Sequence, residues 1–248
     1  LEKIKRIPSE RKKLEKIKRI PSGIKNFDRL VEGGFEENSV NLVVGGSGSG
    51  KSIFAIQFLI EGIKKGEKSL YITFEEKKGE FYNNMSEFGW DLVALEKKGM
   101  FFFIEYTPEK VKTMLEEGGG TIESLIIREK VKRVVIDSIT SFELLFEQEI
   151  EQREAALALF SMLRKWECTS LLTYQVDPKD KKHSSRALEF EADSIIFLYF
   201  IRGKKERERF IEVLKMRGTK HSREVYSFSI EKDGIVIGTK PYSNGIKF

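Results

Sequence analysis

One eight-residue stretch of this chain constrains its fold more than any other feature. Residues 45–52 read GGSGSGKS, which satisfies the phosphate-binding pattern G-x-x-x-x-G-K-[ST]. The apolar segment 40–44 precedes the stretch as a predicted strand, and the apolar segment 53–60 follows it as a predicted buried helix. A chance Gly- and Ser-rich turn is the alternative, but a strand–loop–helix setting is what this motif requires. The sequence therefore predicts a phosphate-binding loop between a strand and a helix.

The residue types in this loop suit the chemistry of a nucleotide. Glycines let backbone N–H groups turn inward around a phosphate, and the start of the helix adds its partial positive charge. We expect Lys51 to reach the outer phosphates and the Ser52 hydroxyl to hold Mg²⁺. The predicted nucleotide contacts in the loop are Ser47, Gly48, Ser49, Gly50, Lys51 and Ser52.

Length and composition indicate a soluble protein with a core. The 248 residues are enough for one large α/β domain or two small ones, and 40% of them are hydrophobic and 33% charged. The longest apolar runs, 100–104 and 195–201, are too short to cross a bilayer, and the single cysteine, Cys168, excludes an intramolecular disulfide. No signal peptide is visible, so we expect a cytoplasmic protein. Abundant Lys, Glu and Ile are typical of thermophilic proteins.

The positive charge of the chain is concentrated at its start. The net charge is +5, yet residues 1–23 alone contain nine Lys and Arg against three Glu, so the remainder is slightly acidic. Overall basicity therefore gives no argument for nucleic-acid binding. Residues 1–9 recur identically as residues 14–22, which we interpret as an artefact of the terminus rather than a structural repeat. We predict a basic tail over residues 1–16 and a single domain over residues 17–248.

The alternation of apolar strands and helical segments predicts the fold class. Further strands are predicted at 69–74, 100–104, 134–137 and 170–174, and helices at 24–30, 78–89, 121–131 and 152–166. Three β segments follow at 193–201, 209–216 and 225–237, the last broken at 233–234. The pattern favours an α/β fold, with a mostly parallel twisted sheet, helices on both faces and an antiparallel C-terminal edge.

Acidic residues follow two of the predicted strands. Asp137 ends an apolar strand, where an acid of a phosphate-loop enzyme supports Mg²⁺, and a cap at the strand end is the alternative. Glu75 and Glu76 end the strand after the phosphate-loop helix, and ligands of such sheets bind outside the carboxyl ends of strands. A carboxylate there can orient and deprotonate the water that attacks a γ-phosphate. A solvated pair that opens the next helix is the alternative, which the following lysines favour for one of the two.

Several motifs together resemble a known family. In order, GGSGSGKS, YITFEE, VVIDS and LKMRGTKHS resemble the KaiC-like branch of the RecA-type ATPases, as do IPSGI at 20–24 and FGWD at 88–91. The resemblance covers residues 17–238 as one domain, whereas KaiC itself has two such domains in tandem. The phosphate loop alone is generic, and the Glu pair together with 215–219 is much more specific. The resemblance implies a RecA-like ATPase that binds ATP or ADP with Mg²⁺ at the subunit interfaces of a homo-hexameric ring.

The resemblance also implies roles at the strand ends. Glu75 and Glu76 resemble the catalytic and Mg²⁺-associated pair, with Glu76 as the general base. The expected metal ligands are Ser52, Asp137 and Glu75, and the expected catalytic residues are Glu76, Glu75, Lys51, Lys215 and Arg217.

Nucleotide contacts outside the loop are implied in the same way. Phe88 resembles the aromatic residue that packs on adenine, and a core residue at a helix end is an equal alternative. Arg209 resembles a further base or phosphate contact, and Gln175 resembles the residue of RecA-type motors that senses the γ-phosphate.

The segment after residue 214 resembles the one that reaches the nucleotide of a neighbouring subunit. A cation delivered across an interface stabilises charge on the transferring phosphoryl group, as an arginine finger does. Without the resemblance, this segment is a basic hairpin turn that faces solvent. We expect it on an edge hairpin, where it can reach out of its own subunit. Its expected contact residues are Lys215, Met216, Arg217, Thr219 and His221.

A possible DNA contact is confined to one predicted loop, residues 176–188. It contains five basic side chains, Lys179, Lys181, Lys182, His183 and Arg186. The corresponding loop of recombinases grips DNA, and a solvated flexible loop is an equal alternative; this one lacks aromatic residues for base stacking.

Three functions are compatible with these observations. The first is an ATP-hydrolysing ring, the second a low-turnover nucleotide-binding module that holds an unknown protein partner, and the third a recombination accessory that binds DNA. Autokinase activity is not expected, because the stretch 188–193 has Glu and Phe where the phosphorylated hydroxyls of KaiC lie. No membrane partner is expected.

Overall fold

The fold is known from a computed structural model that describes most of the chain. The described residues are 17–107, 110, 113, 120–143, 145–146, 148–176, 186–203 and 206–243. The predicted tail over residues 1–16 lies outside them. So do Lys179, Lys181, Lys182 and His183, so the possible DNA contact stays a prediction.

Within the described residues, nine strands form one sheet and two short strands form a second. The short antiparallel pair is β1 (Arg19–Ile20) and β2 (Phe35–Glu36). The large sheet contains β3 (Val40–Gly45), β4 (Lys68–Thr73), β5 (Phe101–Glu105), β6 (Val131–Asp137), β7 (Thr169–Gln175), β8 (Ser194–Arg202), β9 (Arg207–Met216), β10 (Tyr226–Glu231) and β11 (Gly234–Ile237). The helices are α1 (Lys51–Lys64), α2 (Lys78–Ser86), α3 (Leu92–Lys97), α4 (Gly120–Glu129), α5 (Thr140–Glu143), α6 (Glu149–Lys165) and α7 (Arg186–Glu191).

The order of strands in the large sheet is β11-β10-β9-β8-β3-β7-β6-β4-β5. The six strands from β8 to β5 are parallel, and β9, β10 and β11 continue the sheet in antiparallel fashion. The predicted mostly parallel sheet with an antiparallel C-terminal edge is confirmed. All parallel strands therefore present their carboxyl ends at one edge, where ligands of such sheets bind.

Both faces of the sheet are covered by helices, as predicted. One core contains α1, α2 and α3 with Val43 of β3, and the other contains α4, α6 and α7 with Leu42 and Val44 of the same strand. Successive strand residues point to opposite faces, so a central strand with a core on each side has apolar residues on both faces. This explains the consecutive apolar residues 42–44 in β3 and 134–136 in β6.

Two expectations about local structure are wrong, and one helix was not predicted. The helix predicted at 24–30 is a short 3₁₀ helix at Asp28–Val31, because Asn26 adopts a left-handed conformation with φ 70° and interrupts the turn. The six-residue helix α3 was not predicted; the Asp91 carboxylate caps it by accepting from the backbone N–H of Ala94 at 2.9 Å. The segment that begins at Lys215 is not on an edge hairpin, because β9 lies third from the edge of the sheet.

Candidate nucleotide-binding site

The loop between β3 and α1 depends on glycines in the left-handed region. Gly48 has φ 73° and Gly50 has φ 100°, conformations that other residues adopt only at a cost. At Gly45 a Cβ atom would lie 2.4 Å from the backbone oxygen of Leu198, so the chain can pass β8 this closely only with glycine. The predicted strand–loop–helix arrangement is confirmed, and the sequence of the loop explains its path.

The first turn of α1 is built to attract an anion. Its N-cap, Gly50, supplies no side chain to the free backbone N–H groups, and the turn contains no acidic residue. In contrast, the first turn of α6 contains Glu149 and Glu151, which neutralise the positive end of the helix dipole. The unpaired N–H groups and the dipole of α1 fit a phosphate group.

Lys51 lies across this loop. Its Nζ atom donates to the backbone oxygen of Gly46 at 3.0 Å, and the residue is only 8% exposed. Burial lowers the pKa of Lys51, while the carboxylates of Asp137 and Glu75 act in the opposite direction. The ammonium group is thus already oriented at the loop, where phosphate oxygens would accept charge-assisted hydrogen bonds from it.

Asp137 ends β6 and is held by hydroxyl groups from both neighbouring strands. Tyr71 of β4 and Thr173 of β7 each donate to one of its carboxylate oxygens. Sequence reasoning missed these two residues, although a hydroxyl side chain inside an otherwise apolar strand was a usable signal. These two hydroxyl groups fix the orientation of the Asp137 carboxylate at the end of β6.

The donor set at this edge fits Mg²⁺ bound together with a nucleotide. The described residues contain no cluster of three Asp, Glu, His or Cys side chains that could hold a metal without other ligands. Mg²⁺ in nucleotide sites keeps several waters and phosphate oxygens and needs only one or two protein oxygens. The Ser52 hydroxyl in the first turn of α1 and the fixed carboxylate of Asp137 would supply them.

Glu75 is fixed at the end of β4 by two hydroxyl groups. Its Oε1 atom accepts from Ser138 at 3.0 Å and from Ser141 at 2.6 Å. The backbone N–H groups of Glu75 and Glu76 both donate to Oγ1 of Thr73, which turns the chain after the strand. Sequence reasoning missed Ser138 and Ser141, because the contact depends on how two distant strand ends meet.

Glu76 lies in a different environment from Glu75. In the described part of the chain, no hydrogen-bond donor contacts its carboxylate. Burial raises the pKa of Glu76, and the nearby charges of Asp137, Glu75 and Glu80 raise it further. The two neighbouring glutamates therefore differ in their surroundings: Glu75 accepts hydrogen bonds from two hydroxyl groups, whereas burial and nearby acids raise the pKa of Glu76.

The lysines that follow the Glu pair contact other acids. Lys77 lies 3.4 Å from Glu105, and Lys78 lies 2.6 Å from Glu96. The Glu pair directly precedes the N-cap of α2, Lys77, so the alternative of a solvated pair that opens this helix stays open.

Gln175 and Arg209 also lie at this edge. Gln175 pairs in register with Gly45, and its backbone N–H donates to Oγ1 of Thr140 at 2.7 Å. The Arg209 guanidinium donates to the backbone oxygen of Gly48 through Nε at 3.3 Å and Nη2 at 3.2 Å. The structure thus brings together the predicted site residues Ser47, Gly48, Ser49, Gly50, Lys51, Ser52, Glu75, Glu76, Asp137, Gln175 and Arg209.

The segment from Lys215 to His221 lies at the opposite end of the sheet. Lys215 donates to the backbone oxygens of Glu189 and Phe190 at 2.8 and 3.2 Å, and Arg217 donates to that of Phe190 at 2.7 Å. Met216 is buried in the core, and Thr219 accepts a hydrogen bond from Arg19 at 2.7 Å. These residues do not meet the phosphate loop of their own chain in any described contact.

Phe88 is half-buried after α2. Its ring stacks on Trp90 with the centroids 5.2 Å apart. Its predicted contact with adenine stays a prediction.

Comparisons with known proteins identify the family. The sequence model of the family described as "ATPase: KaiC" matches residues 20–242. The chain belongs to the KaiC ATPase family. This membership supports nucleotide binding in a RecA-like fold, as the sequence predicted.

Individual relatives agree with this family. A UPF0273 protein of Pyrococcus horikoshii is 33% identical over 223 residues, which cover 85% of this chain and 90% of that protein. Circadian clock protein KaiC3 of Synechocystis sp. is 33% identical over 220 residues, but the match covers only 44% of that protein. The crystal structure of a KaiC-like protein from Pyrococcus horikoshii matches with a TM-score of 0.80 and 35% identity, covering 90% of this chain and 100% of that one. The chain thus spans less than half of the KaiC3 protein and most of the single-domain relatives.

None of the helices in the described part of the chain is both long enough and apolar enough to cross a bilayer.

Proposed function

We propose that this KaiC-family chain hydrolyses ATP with Mg²⁺ at sites shared between the subunits of a ring, which the family resemblance suggests is a hexamer. One chain would supply the phosphate loop, Asp137 and the two glutamates. The next chain would supply Lys215 and Arg217. ATP binding itself is supported by family membership and by the anion-attracting start of α1.

The observation that carries this proposal is the register of β8 between its two neighbours. Ser194 of β8 pairs with Asn41 near the start of β3 and with Met216 at the end of β9. The phosphate loop begins at the other end of β3, after Gly45, roughly 17 Å further along the strand. Lys215 and Arg217 therefore lie at the opposite end of the sheet from the loop of their own chain, which supports their use by a second chain.

The residues of one site can be given distinct roles. The Glu76 carboxylate takes a proton from water while the water oxygen bonds to the γ-phosphorus and the bond to the β–γ bridging oxygen breaks, leaving ADP and phosphate. Lys51 and the Arg217 of a neighbouring chain offset the negative charge that shifts to the phosphoryl oxygens. Glu75, which accepts hydrogen bonds from Ser138 and Ser141, would orient the attacking water and serve as a further ligand for the metal. Mg²⁺, when bound through Ser52 and Asp137, supplies neutralisation of the phosphate charge.

The test is size-exclusion chromatography with light scattering, run with and without ATP and Mg²⁺ and coupled to a phosphate-release assay. The proposal expects a ring in ATP and phosphate release that EDTA abolishes. Assembly without phosphate release would instead support the regulatory module. Release that requires single-stranded DNA would support the recombination accessory.

A further inference from the structure

An aromatic ring lies directly beneath the phosphate loop and outside every motif found in the sequence. Phe200, near the end of β8, pairs across the sheet with Arg209 of β9. The Arg209 guanidinium carbon lies 4.2 Å from the centroid of the Phe200 ring. This is well within the range of a cation–π interaction, which gains strength when the cation is partly removed from water. Burial also lowers the pKa of Arg209, which marks that partial removal.

The same ring contacts the loop itself. A Cβ atom at Gly48 would lie 3.4 Å from a carbon atom of the Phe200 ring, so the left-handed turn at Gly48 packs against this ring. The stacked guanidinium then donates two hydrogen bonds to the Gly48 backbone oxygen. The Phe200 ring, the Arg209 guanidinium and the turn at Gly48 thus contact one another.

We propose that Phe200 is a positioning residue for the phosphate loop, acting through Arg209. The ring holds the guanidinium against the Gly48 carbonyl, and this keeps that carbonyl turned away from the bound phosphates and the loop N–H groups turned toward them. The inference rests on the proposed function, because it assumes that the loop binds ATP. Its consequence is specific: Phe200 should matter for any ligand with the polyphosphate chain, whether or not that ligand has a base.

The chain offers matched variants for a test. Phe200→Leu removes the ring and keeps an apolar side chain in the strand, whereas Phe200→Tyr keeps the ring. Arg209→Ala removes the cation, and the double variant tests whether the two residues act as a unit. Phe102→Leu is the control, because Phe102 is also half-buried in the sheet with Lys68 Nζ 6.0 Å from its ring, but it lies on the edge strand β5.

The measurement is the dissociation constant for Mg²⁺–ATP and for Mg²⁺–tripolyphosphate by isothermal titration calorimetry, with thermal melts to verify folding. We expect about three- to thirty-fold weaker binding of both ligands by Phe200→Leu, the range of a partly desolvated cation–π contact. Phe200→Tyr and Phe102→Leu should bind like wild type. The double variant should bind no more weakly than Arg209→Ala.

Three results would overturn this inference, and they are distinguishable. If wild type binds ATP and folded Phe200→Leu binds equally well, Phe200 has no positioning role and the proposed function is untouched. If Phe200→Leu weakens ATP but not tripolyphosphate, the ring contacts the base instead. If wild type itself binds neither ligand, this inference and the proposed function both fail.

Discussion

The carboxylate of Asp193 accepts a hydrogen bond from the guanidinium of Arg217 at 3.0 Å. Its other oxygen accepts from the backbone N–H of Val40, the first residue of β3, at 2.9 Å. The Asp193 side chain therefore links Arg217, the proposed finger, to the start of β3, the strand that leads into the phosphate loop. Contacts within its own chain thus hold Arg217 in place.

The first prediction concerns the contribution of Asp193 to the stability of the fold. Asp193→Ala leaves the buried N–H of Val40 without its acceptor, which should lower the free energy of unfolding by about 1–3 kcal/mol. Asp193→Asn keeps an acceptor oxygen and should lower it less, although its interaction with Arg217 weakens. Urea unfolding of the two variants checks this. Equal losses of the free energy of unfolding in both variants would show that the stabilisation comes from the charge of Asp193 rather than from its hydrogen bond to the N–H of Val40.

The second prediction concerns Lys51, whose ammonium group lies across the loop. Lys51→Ala should weaken ATP binding about 10- to 150-fold, the range for a hydrogen bond to a charged group. Lys64→Ala, at the other end of the same helix, is the matched control and should bind ATP like wild type. Calorimetry with Mg²⁺–ATP gives both constants. An unchanged constant for Lys51→Ala would contradict the assignment of the loop.

The third prediction separates the two glutamates. Glu76→Gln should bind ATP normally and lose about 10²–10⁴-fold in hydrolysis, as expected when a general base is removed. Glu75→Gln should lose less, because Ser138 and Ser141 can still orient the amide. Steady-state phosphate release, with ATP binding measured in parallel, compares them. A large loss in Glu75→Gln alone would exchange the two roles.

The phosphate loop and the fold class were predictable because they depend on local pattern. The glycines at 45–50, the apolar strands and the intervening helices all determine structure within a few residues of themselves. The same is true of Asp137 and the Glu pair, which follow strands whose carboxyl ends must share an edge.

Hydroxyl side chains inside the strands could be noted from the sequence, but which carboxylate each one contacts was not predictable, because that depends on strand order. Tyr71 and Thr173 meet Asp137 only since β4 and β7 lie on either side of β6. The prediction of an edge hairpin was wrong for a similar reason, because nothing in the sequence of β9 indicates that β10 and β11 lie between it and the edge of the sheet. Phe200 has no motif around it, and only the register of β8 with β9 places it under Arg209.

The most direct test of the shared site is a subunit-mixing experiment with Lys51→Ala and Arg217→Ala. Each variant alone should be inactive in phosphate release. Arg217→Ala removes a trans finger that contributes roughly 10³–10⁵ in rate, and Lys51→Ala removes the cation that offsets the phosphoryl charge in the proposed mechanism as well as weakening ATP binding. In an equal mixture that exchanges subunits, about a quarter of the head-to-tail interfaces would pair an intact loop with an intact finger. The account predicts that phosphate release returns in the mixture. No recovery, in rings shown by light scattering and labelled subunits to have exchanged, would contradict it.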